Sequence, residues 1–206
     1  VGTFKAATYN VKSSTSGSIG TAITNAGWDF FGLSEDFSNV SKNLGTYSFG
    51  TRSRGTLSFW GSAPKDGLGF ATLNTTCSWS NEYAEEFTAE YGGLTQGANT
   101  SVDKGFRHYV VTMKDGTQAD VIITHMNTYD TEKHLNAQHS QLNQVATYIN
   151  KIWNTNKRPI IFMGDTNLRY TRHDFQTYFW NVLDPSLIVN DPWVDTQWDG
   201  KYPDYP

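Results

Sequence analysis

The stretch from Lys104 to Asn127, "KGFRHYVVTMKDGTQADVIITHMN", limits the fold more than any other. Two runs rich in β-branched and aromatic residues flank the turn "KDGTQ", which is the pattern of a β-hairpin. The next segment, "DTEKHLNAQHSQLNQVATYINKIWN", carries Leu135, Gln138, Leu142, Val145, Ile149 and Ile152 on one stripe and predicts a long helix. "RPIIFMGDTN" then predicts a strand. Upstream, "TFKAATYNV" is apolar on both faces, as a strand buried between layers would be. "SGSIGTAITNAGW" sets Ile19, Ala22, Ile23 and Ala26 at helical spacing before a Gly27 stop. "WDFFGLSED", "NLGTYSFGTRSRGTLSFWGS" and "GLGFATLN" predict further strands, and the aromatic-rich chain from Phe175 onward predicts loops and short elements.

At 206 residues, with no internal repeat, low-complexity tract or Pro-rich linker, residues 1–206 read as a single domain. A chain of this length buries roughly 70% of its unfolded surface. Aromatic content of 15% against 17% charged residues excludes a disordered chain. The net charge is −4, so no global basic field recruits nucleic acid, which leaves that role to local patches. No apolar run approaches the ~20 residues that span a bilayer. Val1-Gly2-Thr3 opens directly into a strand pattern, as a mature secreted or periplasmic chain does, and as a trimmed chain equally would. Sequons at Asn39, Asn74 and Asn99 are no more than chance supplies in so Asn-, Ser- and Thr-rich a chain. The lone Cys77 reads as a small buried hydrophobe, and it rules out a cysteine-based metal site.

Residues two apart on a strand share a face. Ile161, Met163, Asp165 and Asn167 have one parity, as do Val121, Ile123, His125 and Asn127, then Phe31, Leu33 and Glu35, and less cleanly Phe4, Ala6, Thr8 and Asn10. Four strands thus pass from packed residues to an acid, an amide or an imidazole at their C-terminal ends. Each alone has an ordinary alternative: Gly164-Asp165 makes a good turn, and Glu35 beside Asp36 suits a solvated strand end. His108, His134, His139 and His173 have no ligand spacing and read as surface residues. If the four ends converge, their oxygen donors suit Mg²⁺, Mn²⁺ or Ca²⁺ rather than zinc. An acid, amides and an imidazole would complete a set for phosphoryl transfer.

At these residues the chain resembles the endonuclease/exonuclease/phosphatase superfamily, the deoxyribonuclease I-like phosphodiesterases. The matching motifs are "TYNV", "GLSED", "KGFRHYVV", "ITHMNTYD", "QLNQVATYI" and "IIFMGDTN", in family order along almost the whole chain. The resemblance implies an α/β two-sheet sandwich flanked by helices, with the site at one edge. It implies Glu35 as principal metal ligand, with Asn10 close to the metal and the phosphate. Asp165 would orient or deprotonate the attacking water, and Asn167 would bond the phosphoryl oxygens. His125 would contact phosphate and serve the leaving oxygen. Lys104 would touch substrate, Arg107 less so, and Asn127 joins the substrate-binding set.

Family members normally continue into a strand with an Asp and then a Ser-Asp-His motif. Neither occurs before "GKYPDYP", so the expectation is a sandwich lacking its C-terminal strands, continued in a further segment or a second chain. The function implied is a Mg²⁺-dependent (or Mn²⁺- or Ca²⁺-dependent) phosphodiesterase. Two substrate classes compete. Arg169, Arg172 and His173 just past Asn167 offer cations to a nucleic acid. Trp180, Trp193 and Trp198 offer aromatic surface to a phospholipid or sphingolipid headgroup. The alternative is a non-catalytic binding module or pseudo-enzyme on the same fold.

Overall fold

A computed structural model of the chain describes residues 3–12, 17–36, 44–50, 66–92, 103–128, 130–168 and 173–200. The first sheet is built from β1 (Ala6–Asn10), β2 (Phe30–Ser34), β3 (Tyr47–Phe49) and β4 (Gly69–Leu73), in the order β1-β2-β4-β3. The second holds β5 (Cys77–Glu86), β6 (Gly105–Met113), β7 (Gln118–His125) and β8 (Ile160–Asp165) in sequence order. Phe30, Leu68 and Phe70 of the first sheet region meet Tyr109, Val111, Val121 and Ile123 of the second in one apolar layer. The Phe70 and Tyr109 rings stack at 4.2 Å across it.

Helices seal the outer faces. The helix α1 (Gly17–Ala26) sets Ile23 against Phe31 and Leu33, and Gly27 ends it at φ 62°, as the sequence predicts. The helix α2 (Glu132–Asn156) lays Leu142, Val145, Ile149 and Ile152 over Phe106 and Ile122. Of the predicted stripe only Leu135 departs, being half-buried; Ala137, Gln141 and Ala146 take burial that the stripe omitted. Beyond β8 come α3 (Asp174–Tyr178), a 3₁₀ turn (Trp180–Val182) and α4 (Pro192–Gln197), the short elements expected. Asp191 caps α4 by accepting from the Trp193 and Val194 amides, with Pro192 next in line. Among the described residues no helix is long and apolar enough to cross a membrane.

Two expectations need correction. The strand β1 is not buried between layers: it is an edge, and Phe4 on its approach is 48% exposed. The long strand β5 had no sequence signal, because its burial pattern is mostly exposed and carries little apolar alternation. Much of "NLGTYSFGTRSRGTLSFWGS" lies outside the described residues, where the sequons Asn39 and Asn99 also fall. Cys77 is buried as expected, and its thiol donates to the Asp29 carbonyl.

The pairs β1/β2 and β7/β8 are both parallel, and their C-terminal ends lie at one edge of the sandwich. Close approach holds β8 to β7. Gly164, at φ 141°, sits opposite Thr124, where a Cβ would overlap the Thr124 carbonyl oxygen. Only glycine fits there. At the other end of this pair, Asp120 is fully buried and accepts from His108 Nε2 at 2.8 Å. Arg158 adds a two-pronged bond through Nε and Nη2 at 3.0 and 2.8 Å. Burial pushes Asp120 upward, but His108 and Arg158 outweigh it and hold the carboxyl below its ordinary value. The stability this supplies is present at neutral pH and is lost as pH falls through the depressed folded value. Arg158→Ala is expected to cost about 1–3 kcal/mol in urea unfolding at pH 7. The gap from wild type should shrink as pH falls through the depressed folded value of Asp120, because a protonated carboxyl no longer rewards the Arg158 bond.

Candidate active site

Inward parity delivers three of the predicted residues. Ala6, Val121 and Ile123, and Ile161 and Met163 pack into the inter-sheet layer, and at the same parities His125, Asp165 and, beyond the exposed Thr8, Asn10 reach the open edge. Glu35 arrives differently. Phe31 and Leu33 face α1 rather than the layer, and strict alternation would send Glu35 outward with them. A left-handed backbone at Glu35, φ 57°, turns it back to the edge. This conformation is uncommon for a non-glycine residue and marks a position held by its surroundings. Asn167 is also left-handed, at φ 54°, which asparagine tolerates better than most.

The Asn10 amide sits between the two acids. Its Nδ2 donates to Glu35 Oε1 at 3.0 Å and to Asp165 Oδ2 at 2.8 Å. The Lys12 backbone N–H donates to Asn10 Oδ1, which fixes the amide's orientation. In this geometry Asn10 braces the carboxylates and turns its own oxygen away from them. Asp165 Oδ1 accepts from the Asn167 backbone N–H at 3.0 Å, and Asn167 Nδ2 donates to the Met126 carbonyl at 2.9 Å.

Lys104 is more central than its sequence position suggested. It is 3% exposed, and its Nζ lies 3.0 Å from the Met126 carbonyl oxygen and 3.1 Å from His125 Nε2. An ammonium has no lone pair, so Lys104 donates and His125 Nε2 accepts. The His125 proton therefore sits on Nδ1. Burial drags Lys104 down to about 8, against the pull of Asp165, Glu35 and Glu90. Burial, then the Lys104 charge, pushes His125 down to about 4 although Asp165 pulls it up. His125 Nε2 lies 3.9 Å from Glu35 and 4.0 Å from Asp165, but a neutral ring makes neither approach an ion pair at pH 7.

Other predicted residues lie elsewhere. Asn127 is 4% exposed, and its side chain donates to the Tyr91 carbonyl while its backbone N–H bonds Gln141. It anchors the site wall to α2 rather than opening onto the hollow. Arg169 and Arg172 lie outside the described residues. Arg107 is buried and bound to Asp66 and Glu82, with its guanidinium committed to protein carboxylates. His108 and His134 are buried, not superficial: His108 bonds Tyr148 and Asp120, and His134 bonds Thr131. His139 stacks on Tyr178, and His173 is exposed as expected. Trp193 is 53% exposed, whereas Trp180 packs against the α2 core. Sequence reasoning missed the Met126 carbonyl, on which Lys104 and Asn167 converge, since a backbone acceptor leaves no trace in side-chain pattern.

Among the described residues, no group of three or more His, Cys, Asp and Glu side chains forms a metal cage. The donor set still fits a hard divalent ion that keeps most of its waters. It offers two carboxylates joined through one amide, with no thiolate beside them.

A two-sheet sandwich with strand-end acids at one edge is the deoxyribonuclease I-like architecture, and the solved structures bear this out. The β toxin of Staphylococcus aureus, as a β-hairpin deletion mutant, superposes with a TM-score of 0.69 at 16% identity, over 98% of this chain and 84% of that one. An endonuclease/exonuclease/phosphatase family protein from Bacteroides thetaiotaomicron gives 0.67 at 14% identity, over 86% and 68%. TDP2 from D. rerio, complexed with a single-strand DNA product, gives 0.60 at 16% identity, over 85% and 64%, so this chain spans less than two thirds of that protein. No protein-family model matches the sequence, and no curated protein does. At these identities the likeness establishes the fold, which is the one the motifs implied.

The protonation pattern is directly measurable. Histidine NMR titration should find His125 neutral down to about pH 4. Lys104→Met should move it up toward the ordinary 6.5, since one of its two depressing influences is gone. The unfolded chain takes up this proton near 6.5, so His125 makes the fold less stable as pH drops from there to about 4.

Proposed function

We propose that this chain is a divalent-metal-dependent phosphodiesterase acting by in-line attack of water on phosphorus. The observation that carries the reading is the Asn10 amide joining Glu35 and Asp165 beside a buried ammonium, at the edge where four strands end. Mg²⁺, with Mn²⁺ or Ca²⁺ as substitutes, would be held by Glu35 and would supply electrostatic stabilisation of charge on the phosphoryl oxygens. Asp165, oriented by Asn10 and by the Asn167 N–H, would accept a proton from the attacking water. Lys104 is charged at neutral pH and would donate to a phosphoryl oxygen, releasing His125 Nε2 from its present bond. His125 Nε2, then an open acceptor 4.0 Å from Asp165, would take up the proton that Asp165 removes from water and pass it toward the leaving oxygen. Asn167 would add one N–H, because its amide carries two hydrogens and Met126 takes one.

Nucleic acid and lipid headgroup are both substrates of this chemistry. The DNA product bound to D. rerio TDP2 supports the first. The exposed Trp193 supports the second. Hydrolysis of plasmid DNA, sphingomyelin and inositol phosphates, each with Mg²⁺ and with EDTA, separates them. EDTA should abolish turnover. Asp165→Ala should lower kcat by at least about 100-fold, the scale of a lost general base. Asn167→Ala should cost about 100-fold, the scale of a lost oxyanion donor. Full activity in EDTA, or an active Asp165→Ala protein, would refute the mechanism.

A further inference from the structure

Arg107 is a charged residue on the inward face of β6, at the parity of Tyr109 and Val111, where apolar side chains belong. It is 4% exposed. Its Nε donates to Asp66 Oδ2 at 2.6 Å and its Nη2 to Asp66 Oδ1 at 3.2 Å. Its Nη1 reaches Glu82 Oε1 at 3.1 Å, and that same oxygen accepts from the Tyr109 hydroxyl at 2.7 Å. Glu82 stands where the β5/β6 register shifts, between Ser80 and Tyr83, so a bulge aims it at this network. The arginine thus joins the second sheet to Asp66, which precedes β4 of the first.

Asp66 lies directly behind the catalytic edge. Asp66 Oδ1 also accepts from the Leu68 N–H at 3.0 Å, shaping the turn through Gly67. The Gly67 carbonyl accepts from the Asp36 N–H at 2.9 Å. Asp36 follows Glu35, whose left-handed backbone no glycine relieves. One line of bonds therefore runs from Arg107 through Asp66 and Gly67 to the residue after Glu35. This line and the longer Ser34 Oγ bond to the Thr124 carbonyl, at 3.4 Å, tie the two sides of Glu35 to the second sheet, which supplies Asp165, His125 and Lys104.

We propose that Arg107 and Asp66 form a crossbar that sets the height of Glu35 relative to Asp165, making both positioning residues of the site. Neither touches substrate. Loss of the crossbar lets the Glu35 turn relax, and Asn10 then cannot hold both acids at once. The proposal rests on the phosphodiesterase reading for its kinetic consequence and on geometry alone for its structural one.

Crystal structures of Arg107→Met and Asp66→Asn test the geometry without any assay. The expected result is Glu35 Oε1 beyond hydrogen-bond reach of Asn10 Nδ2 in Arg107→Met, with a smaller displacement in Asp66→Asn. An unchanged Asn10–Glu35–Asp165 arrangement in a folded variant overturns the proposal. Calorimetric titration with Mn²⁺ and kinetics supply the second arm. Arg107→Met should weaken Mn²⁺ binding and lower kcat by at least about tenfold, the scale of a small misplacement of reacting groups. KM for the diester should change little, and Arg107→Lys should restore part of the loss. Arg158→Ala removes a partly buried arginine–aspartate pair at the opposite end of β7 from His125, and should leave Mn²⁺ binding and kcat unaltered. Equal losses in Arg158→Ala would reduce Arg107 to a stabilising role and overturn the proposal. A wild-type protein that neither binds Mn²⁺ nor hydrolyses any diester would sink the phosphodiesterase reading, while the crystallographic outcome would still decide the crossbar.

Discussion

The apolar layer between the two sheets is the constraint from which the rest follows. Phe30 and Phe70 on one side, and Tyr109, Val121 and Ile123 on the other, exclude water and set the spacing of the sheets. Aromatic rings in van der Waals contact have few ways to slide, as the Phe70–Tyr109 stack illustrates. A side chain two residues beyond the last layer position of a strand is therefore placed to within the tolerance of core packing. That is how Asn10, His125 and Asp165 meet although up to 155 residues separate them in the chain.

The edge concentrates opposing charges at low solvent access. Glu35 and Asp165 are kept together by an amide and by a nearby ammonium, so neither acid faces the other without compensation. Lys104 and His125 share a hydrogen bond, with both shifted toward their neutral forms by burial. Such shifts gather where chemistry is done more often than where structure alone is at stake. The same residues make the edge costly to the fold, and the buried bonds behind it, Arg107 to Asp66 above all, offset part of that cost.

Much of this was legible in the sequence, for identifiable reasons. The β6/β7 hairpin, α1 and α2 announced themselves through turn chemistry and apolar period, and β8 through its unbroken apolar run. Alternation aimed His125 and Asp165 at the edge where they lie because the β7/β8 register stays unbroken to its last pair. It gave the right destination for Glu35 by the wrong route, since a left-handed residue cancelled the alternation. β1 looked buried because its neighbours are apolar, yet sheet order decides burial and a single strand does not reveal it. Arg107 did leave a signal: an arginine at an inward position of a β-rich run needs a buried partner. Asp66 left none, being an acid in an irregular stretch whose role exists only in three dimensions.

The placement of Asn10 on the outermost strand has a consequence for how the molecule fails. Lys104 and His125 adjoin or end strands flanked on both sides within the second sheet, whereas Asp165 ends the border strand β8 and the amide that unites the acids belongs to the border strand β1, whose flanks are partly wet. Border strands open locally at lower free energy than strands flanked on both sides. Gentle warming or mild denaturant would detach the amide while the sandwich stays intact, so loss of the bridge between the two acids and global unfolding need not share a midpoint.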